Sequence, residues 1–361
     1  MIRLDKILRL SKQFIAIKSI AGNSNELEEI LELALLNLKE FKIEKFEKNG
    51  VKSALIYNQK NRPKTFRVIL NGHLDVIPGE VSMYKPKVVG DRLYGVGSMD
   101  MKSNVACFIE LFQDMAKKVS YPLALQLVTD EQTGSLCGTK YQIDQDVRAD
   151  FVIVGESTNF NIVNKAKGVI WLKILAKGKA FHSAYPWQGK NAVWKMIEFL
   201  NNLKAEYPVP DNEIWETTVN VSHINSEGNV FNKIPDVCEA WLDIRYVPGE
   251  KNMVMNKLGN ILPDGVSLKI IFEEPPMLVS GDVKDVMALC DSATPHLGHK
   301  AMLTQAHGTS DANYYARIGC PAVEFGPIGM SGNMYHEYVS ISSLEKYYQI
   351  LTEFLLKLKQ I

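Results

Sequence analysis

The sequence has 361 residues, and its 41 Lys+Arg balance 41 Asp+Glu, so the formal net charge is zero. Hydrophobic residues make up 46% of the chain and charged residues 23%, which is typical of a globular protein. This composition excludes a disordered chain, a collagen and a polycationic nucleic-acid-binding protein. The near-neutral charge favours a small molecule as the binding partner.

The sequence carries no targeting or membrane signal that we recognise. No run of about 18 apolar residues is present, so we expect no membrane-spanning segment. The N-terminal segment has a Lys or Arg every few residues and lacks the apolar core of a signal peptide, which predicts that the protein is not exported. The five cysteines are far apart and form no Cys-x-x-Cys pair. We therefore expect buried thiols in a reducing cytoplasm.

The first part of the chain alternates helices and strands. Apolar residues at helical spacing predict helices over residues 4–17, 26–39 and 104–117. Short apolar runs predict buried strands over residues 66–70, 123–128 and 151–154. Such alternation is typical of an α/β domain with a largely parallel sheet.

The pattern changes at about Lys167. Strands are predicted over residues 169–175, 217–224, 238–245 and 266–272, and helices over residues 191–203 and 252–261. The order β-α-β-β-α-β is that of a ferredoxin-like domain. The α/β pattern then returns and continues to a final helix over residues 343–358. We therefore predict a discontinuous α/β domain, residues 1–166 and 278–361, that is interrupted by an α+β domain, residues 167–277.

Polar residues follow several predicted strands, where α/β proteins place their reactive groups. His73 and Asp75 are two residues apart, so both side chains point to one face. One interpretation is a carboxylate that orients an imidazole whose other nitrogen binds a metal. The other is a hydrogen bond between His73 and Asp75 that closes a turn. Glu156 follows another apolar strand, where acids are seldom unpaired.

Two further segments are ambiguous when they are taken alone. Gly95 and Gly97 precede Asp100 at a predicted helix start, but a dinucleotide-binding loop would need a third glycine where Asp100 stands. A turn with a helix N-cap explains the same residues. Likewise, the adjacent acids Asp130 and Glu131 at a strand end are typical of a solvent-facing position.

Taken together, the strand ends supply His and carboxylate side chains, including His307, Asp311 and His336 near the C-terminus. This is the ligand mix that suits zinc or a similar divalent ion. The sequence has no Gly-x-Ser-x-Gly elbow, no P-loop and no Cys-x-x-Cys motif that would indicate a different chemistry. The pattern therefore predicts a metal site at one edge of the sheet.

The sequence contains, in this order, the motifs GHLDVIP (72–78), YGVGSMDMK (94–102), TDEQTG (129–134), VGES (154–157), GKAFHSAYPWQGKNAV (178–193), NKIPD (232–236), DIR (243–245) and HGTSDANYYA (307–316). These motifs resemble those of the M20 metallopeptidases and deacylases, which include acetylornithine deacetylase, succinyl-diaminopimelate desuccinylase, aminoacylase and glutamate carboxypeptidase. The resemblance covers nearly the whole chain. It implies a zinc-peptidase-like catalytic domain, residues 1–166 and 278–361, and an inserted ferredoxin-like domain, residues 167–277, that serves as a lid and for dimerisation.

The resemblance also implies the roles of the residues at the metal site. His73 and Glu156 would hold one metal ion, and Asp100 would bridge two. Asp75 would orient His73. Glu131 would be the general base, which takes a proton from water and later passes it to the leaving amine.

The second metal site departs from the family pattern at two positions. Gln132 stands where the family has an acid, and a neutral amide binds a divalent cation more weakly than a carboxylate does. Family members usually have three residues between the C-terminal histidine ligand and the next glutamate, whereas here Glu337 directly follows His336. We place the ligand at His336, and the alternative alignment places it at Asn333. Both departures predict a second metal that is loosely held or absent.

The resemblance further implies residues that contact the substrate. His182, in the motif FHSA, would reach the active site of a partner subunit and stabilise the oxyanion; otherwise it is a surface residue. Asn232 and Arg245 would bind the substrate carboxylate, because Arg offers a charge-assisted bidentate pair. The alternative for Arg245 is a salt bridge within its strand. Asn313 would line the pocket, where desuccinylases commonly have Arg.

The implied activity is metal-dependent hydrolysis of an amide bond in a small N-acyl amino acid or a dipeptide with a free carboxylate. The implied cofactor is zinc, with cobalt or manganese as alternatives. We expect a cytoplasmic homodimer that binds neither nucleic acid nor membrane. The alternative is an M20-fold protein whose weakened second metal site leaves a one-metal enzyme or a catalytically deficient binding protein.

Overall fold

The computed structural model describes residues 2–226, 230–330 and 336–358. The chain forms two compact units, one of Met1–Lys165, Val279–Gln305 and Ser310–Ile361, and a second of Ala166–Leu278 and Ala306–Thr309. Residues 306–309, which the sequence predicts in the discontinuous domain, group with the second unit by their contacts. There the N–H of Lys167 donates to the carbonyl of Ala306 (3.2 Å), and the His307 ring pairs with Glu213 (2.9 Å).

The helices and strands follow one another along the whole described chain. The helices are α1 Ile2–Ala16, α2 Ser24–Leu36, α3 Lys102–Met115, α4 Thr139–Asp144, α5 Ala192–Glu206, α6 Lys251–Asn260, α7 Lys284–Leu297, α8 Ala312–Arg317 and α9 Ile341–Lys357. The strands are β1 Lys42–Lys48, β2 Val51–Tyr57, β3 Phe66–His73, β4 Lys87–Val89, β5 Arg92–Tyr94, β6 Leu123–Val128, β7 Ala149–Val154, β8 Ile162–Ala166, β9 Gly168–Lys177, β10 Phe181–His182, β11 Thr218–Ser226, β12 Lys233–Ile234, β13 Val237–Tyr246, β14 Val266–Glu274, β15 Met277–Leu278, β16 Leu303–Ala306, β17 Ala322–Glu324, β18 Gly329–Met330 and β19 Tyr338–Ser340. Among the helices in the described ranges, none has both the length and the apolar character that crossing a bilayer requires.

The main sheet of the first unit has the strand order β1-β2-β6-β3-β7-β17-β8. Its central strands β6, β3, β7 and β17 run parallel, whereas β1 and β2 form an antiparallel edge. Strand β6 is buried at every position, as expected for a strand that is covered on both faces. The predicted α/β class with a mostly parallel sheet is confirmed, and the carboxyl ends of β3, β6 and β7 meet at one edge.

Helix α3 packs against β3 and β6 and is itself flanked by α1 and α9. It is buried at each position from Lys102 to Phe112, and from Val105 to Phe112 only Glu110 interrupts its apolar sequence. Helix α3 and the residue before it pack so closely against the loop after β7 that this loop needs a glycine at position 155. A Cβ atom at Gly155 would lie 2.6 Å from Met101 Cε and 2.6 Å from Phe108 Cε2.

The second unit contains an antiparallel sheet of strand order β11-β13-β9-β14. Along the chain its elements run β9-α5-β11-β13-α6-β14, which matches the predicted β-α-β-β-α-β order. Strand β9 alternates buried and more exposed residues, and its buried side, with Ile170 and Leu172, packs against Phe199 of α5 and Leu258 of α6. Both helices therefore cover one face of the sheet.

The five cysteines are free thiols. Cys107, Cys238 and Cys320 are buried, as predicted. Cys137 and Cys290 are only partly buried, so the prediction is wrong for these two. Cys137 lies in a turn before α4, and Cys290 lies in the middle of α7.

Candidate metal centre

The centre begins with His73, the last residue of β3. The sequence predicted that this strand ends at Leu70, but pairing to β6 continues through His73 and Val128. Both His73 and Asp75 are only 1% exposed. The Nδ1 atom of His73 lies 2.9 Å from the main-chain oxygen of Asp75 and 3.5 Å from its Oδ1. In the neutral ring, Nδ1 donates to Asp75 and Nε2 presents a lone pair to the opposite side.

Three carboxylates surround Nε2 of His73. Asp100 Oδ1 lies 2.9 Å away, Glu156 Oε1 3.6 Å and Glu131 Oε2 3.9 Å. One ligand atom each from His73, Asp100 and Glu156 lies within 4.8 Å of the other two. These residues come from the end of β3, the loop before α3 and the loop after β7, so the parallel strands bring them together.

The side chains of this group shift the pKa values of one another. Burial and the neighbouring Asp100 carboxylate raise the pKa of Glu156 well above its ordinary value. Burial alone would lower the pKa of His73, but its contacts with Asp100 and Asp75 raise that pKa well above the ordinary value. Burial likewise opposes ionisation of Asp100, yet the hydrogen bond and charge of His73 hold its pKa below the ordinary value.

Glu131 and Gln132 form a short turn after β6, and Asp75 fixes that turn. Its Oδ1 accepts the N–H of Glu131 (3.1 Å) and its Oδ2 accepts the N–H of Gln132 (2.8 Å). Burial raises the pKa of Glu131 to about 8, against the opposing charge of His73. The Gln132 amide Nε2 donates to Asp100 Oδ2 (3.2 Å) and to Glu131 Oε2 (3.1 Å). Gln132 therefore presents hydrogen-bond donors to the carboxylates.

The side chains of Asn104 and Ser157 connect the loops that carry Asp100 and Glu156 by hydrogen bonds. Neither residue was predicted from the sequence to belong to the site. Asn104, in the first turn of α3, donates to the Gly155 carbonyl (2.5 Å) and to Ser157 Oγ (3.0 Å). The Ser157 hydroxyl in turn donates to the Met99 carbonyl (2.8 Å). Their sequence positions could have indicated this role, because Ser157 ends the motif that contains Glu156 and Asn104 lies two residues after the motif that contains Asp100.

The other candidate residues of the first unit lie outside this group. Asn313 is buried in α8, and its Oδ1 accepts the N–H of Ser310 (3.2 Å). His336 is exposed, and within the described ranges it does not join the cluster of His73, Asp100 and Glu156. Asn333 lies outside the described residues.

The remaining candidates belong to the second unit. His182 ends β10 and is exposed, with its Nδ1 accepting the N–H of Ala184 (3.1 Å). Asn232 is also exposed, and its carbonyl accepts the N–H of Ser183 (2.9 Å). Arg245 forms a bidentate pair with Asp243 (2.7 and 2.9 Å), so the salt bridge considered as an alternative is present.

The sequence model of peptidase family M20/M25/M40 matches residues 69–357. The chain belongs to this family. A succinyl-diaminopimelate desuccinylase from Azoarcus sp. (strain BH72) is 28% identical over 296 residues, which cover 76% of this chain and 78% of that protein. The resemblance stated from the motifs is therefore confirmed, and this M20 chain is a hydrolase that acts on amide bonds.

Two solved structures share the fold of this chain. A tripeptidase from Staphylococcus aureus superposes with a TM-score of 0.81 at 17% identity and covers 99% of both chains. A dinuclear metal-binding peptidase of the M20 family from Bacillus subtilis superposes with a TM-score of 0.71 at 14% identity, again over 99% of both chains. At these identities the comparisons establish a shared fold.

The donor set of this M20 chain fits a divalent cation. An imidazole nitrogen and two carboxylates are ligands that zinc, cobalt and manganese accept. Ionised carboxylates that are crowded together and buried repel one another, and a bound cation relieves that repulsion. His73, Asp100 and Glu156 can therefore hold a metal ion, with Glu131 beside them.

Proposed function

We propose that this chain hydrolyses an amide bond in a small N-acyl amino acid or a dipeptide that carries a free carboxylate. The observation that carries the proposal is the convergence of His73, Asp100 and Glu156 within 4.8 Å, with Glu131 Oε2 only 3.9 Å from His73 Nε2. The similarity to a succinyl-diaminopimelate desuccinylase supports the N-acyl substrate class.

In this proposal one metal ion, zinc or alternatively cobalt or manganese, would be held by His73, Glu156 and Asp100. Asp100 would also take part in holding a second ion, for which Gln132 and His336 would be the weaker ligands. A bound divalent ion lowers the pKa of water and polarises the substrate carbonyl. The burial of the centre favours these effects, because charges act more strongly away from bulk water.

The protein supplies the proton transfers and the orientation of the reacting groups. Glu131 accepts a proton from the attacking water at its carboxylate and returns it to the leaving amine nitrogen. Asp75 positions both Glu131 and His73, through the hydrogen bonds described above. In a homodimer, His182 from the second subunit donates a hydrogen bond to the oxyanion that develops on the substrate carbonyl.

The free carboxylate of the substrate is assigned to Arg245 together with Asn232, and Asn313 lines the acyl or side-chain pocket. Within the second unit, Arg245 lines a cavity of about 250 Å³ with Lys167 and His307. Burial and the nearby Arg245 charge lower the pKa of Lys167. Glu213 also lines this cavity and Arg245 pairs with Asp243, so a substrate carboxylate would compete with these acids for Arg245.

A one-metal enzyme is the second candidate function, and Gln132 favours it. The Gln132 amide donates to Asp100 and Glu131 where a family member would offer a carboxylate. A protein with this arrangement that turns over no substrate would be a binding protein.

A metal analysis and a substrate screen test the proposal. Protein purified without chelator is assayed for bound metal, and then with zinc, cobalt and manganese against N-acetyl and N-succinyl amino acids and dipeptides. Turnover with near two equivalents of metal supports the two-metal hydrolase, and turnover with one equivalent supports the one-metal enzyme. Metal binding without any turnover supports the binding protein.

The variant Glu131→Gln tests the general base, because Gln keeps the shape of the side chain but cannot take a proton. We expect it to lose turnover and retain the metal. Hydrolysis at the wild-type rate in this variant would remove Glu131 from its proposed role.

A further inference from the structure

Glu337 holds the loop that carries Asp100, although it lies far from that loop in the sequence. Its Oε2 accepts the N–H of Gly97 (2.8 Å), and its Oε1 accepts the N–H groups of Met99 (2.8 Å) and Asp100 (3.0 Å). Its main-chain carbonyl accepts the N–H of Gly95 (3.2 Å). One residue therefore binds four N–H groups of the segment 95–100.

The loop needs an acceptor of this kind because of its own backbone. Its N–H groups converge on one point, which is an arrangement that binds an anion. Gly97 has a φ of +78°, and a Cβ atom there would lie 2.7 Å from both Lys102 Cδ and Val76 Cγ1. The packing leaves the loop little room to turn these N–H groups elsewhere, so the Glu337 carboxylate is their partner.

Burial raises the pKa of Glu337, whereas the N–H groups of Asp100, Gly97 and Met99 favour its charged form. Lys102 is buried at the start of α3, and its Nζ donates to the Ile17 carbonyl (2.8 Å). Burial lowers the pKa of Lys102 to about 7, although the carboxylates of Glu337 and Asp75 act in the opposite direction. Both oxygens of Glu337 already accept N–H groups, which leaves it to act on the metal centre through the loop.

We propose that Glu337 is a positioning residue that presets Asp100 for metal binding. Glu337 fixes the Asp100 main chain in the metal-free protein by accepting its N–H group. Metal binding then does not have to order the Asp100 carboxylate. The proposal rests on the proposed function, because it requires that Asp100 be a metal ligand. It adds a residue to the centre that contacts neither metal nor substrate.

The test compares Glu337→Gln with Asp91→Asn. The Gln side chain keeps the size but replaces one acceptor oxygen by an NH₂ group that faces N–H donors. Asp91 is a matched control, because its carboxylate likewise accepts a backbone N–H, from Ser342 (2.8 Å), and it ties the same C-terminal region to the chain just before β5. It makes no hydrogen bond to residues 97–100 among those the structure describes.

The metal-free proteins are titrated with Zn²⁺, and the visible absorption spectrum of each Co²⁺-loaded protein is recorded. We expect Glu337→Gln to bind Zn²⁺ about 10–100-fold more weakly and to have an altered Co²⁺ spectrum, as for other residues that orient ligands. We expect Asp91→Asn to lower the unfolding temperature while its Zn²⁺ affinity and Co²⁺ spectrum stay those of the wild type.

Wild-type affinity and spectrum in Glu337→Gln would overturn this proposal and leave the proposed function intact. Failure of the wild-type protein to bind any of these metals would overturn both. Should Glu337→Gln not fold, Glu337→Asp keeps the charge on a shorter side chain. We expect that variant to show a weaker Zn²⁺ affinity as well, and an unchanged affinity there would overturn the proposal.

Discussion

Replacement of Asp75 by Asn tests how much of the metal centre depends on one buried carboxylate. The Asp75 carboxylate accepts the N–H groups of Glu131 and Gln132 and lies 3.5 Å from Nδ1 of His73, whose closer contact (2.9 Å) is with the Asp75 main-chain oxygen. Asn retains one acceptor oxygen, and its NH₂ group then faces an N–H donor. Asp75→Asn therefore removes at least one hydrogen bond to an ionised group and leaves a buried N–H without an acceptor.

The size of the effect follows from these contacts. A hydrogen bond to a charged group contributes about 1.5–3 kcal/mol, so we expect the metal-free variant to lose stability of that order. Residues that orient a metal-ligating histidine typically change metal affinity by about 10–100-fold. Because the same carboxylate positions Glu131, we expect kcat to fall together with metal affinity.

The assay is a Zn²⁺ titration of the metal-free protein, with thermal unfolding measured in parallel. Asp285→Asn is the matched control, since Asp285 forms a bidentate pair with Arg67 at the opposite end of β3, about 20 Å from His73. We expect the control to lose stability and keep its metal affinity. A Zn²⁺ affinity within about 2-fold of the wild type in Asp75→Asn would refute the reasoning that the Asp75 carboxylate orients His73.

Three further changes test other parts of the site. Gln132→Glu should raise the amount of bound metal measured by elemental analysis, and an unchanged amount would contradict the weakened second site. His182→Ala should lower kcat with little change in metal content, and a normal kcat would contradict the cross-subunit role. Gly326→Ala should lower both unfolding temperature and metal affinity, because the new Cβ atom would lie 2.1 Å from the Glu156 carbonyl oxygen. Wild-type values in both measurements would show that the Glu156 loop moves aside at no cost.

The local pattern of the sequence determined the class of fold and the first candidates for the site. Alternating helix and strand periods predicted the mostly parallel sheet, because each period reflects which faces of an element are buried. The two-residue spacing of His73 and Asp75 and the acid after β7 indicated groups at the carboxyl ends of strands. These signals are contained in a few neighbouring residues, so no knowledge of the tertiary structure was needed.

The tertiary structure decided which distant groups meet. Glu337 binds the N–H of Gly97 across 240 positions of the chain, and no local period records that contact. The same holds for residues 306–309, which group with the second unit and include the carbonyl that accepts the N–H of Lys167. Similarly, the sequence identified Gln132 as an amide, but only the fold directs its donors at Asp100 and Glu131. Contacts between residues that are so far apart in the sequence depend on how the intervening chain folds. The types of the side chains alone do not specify these contacts.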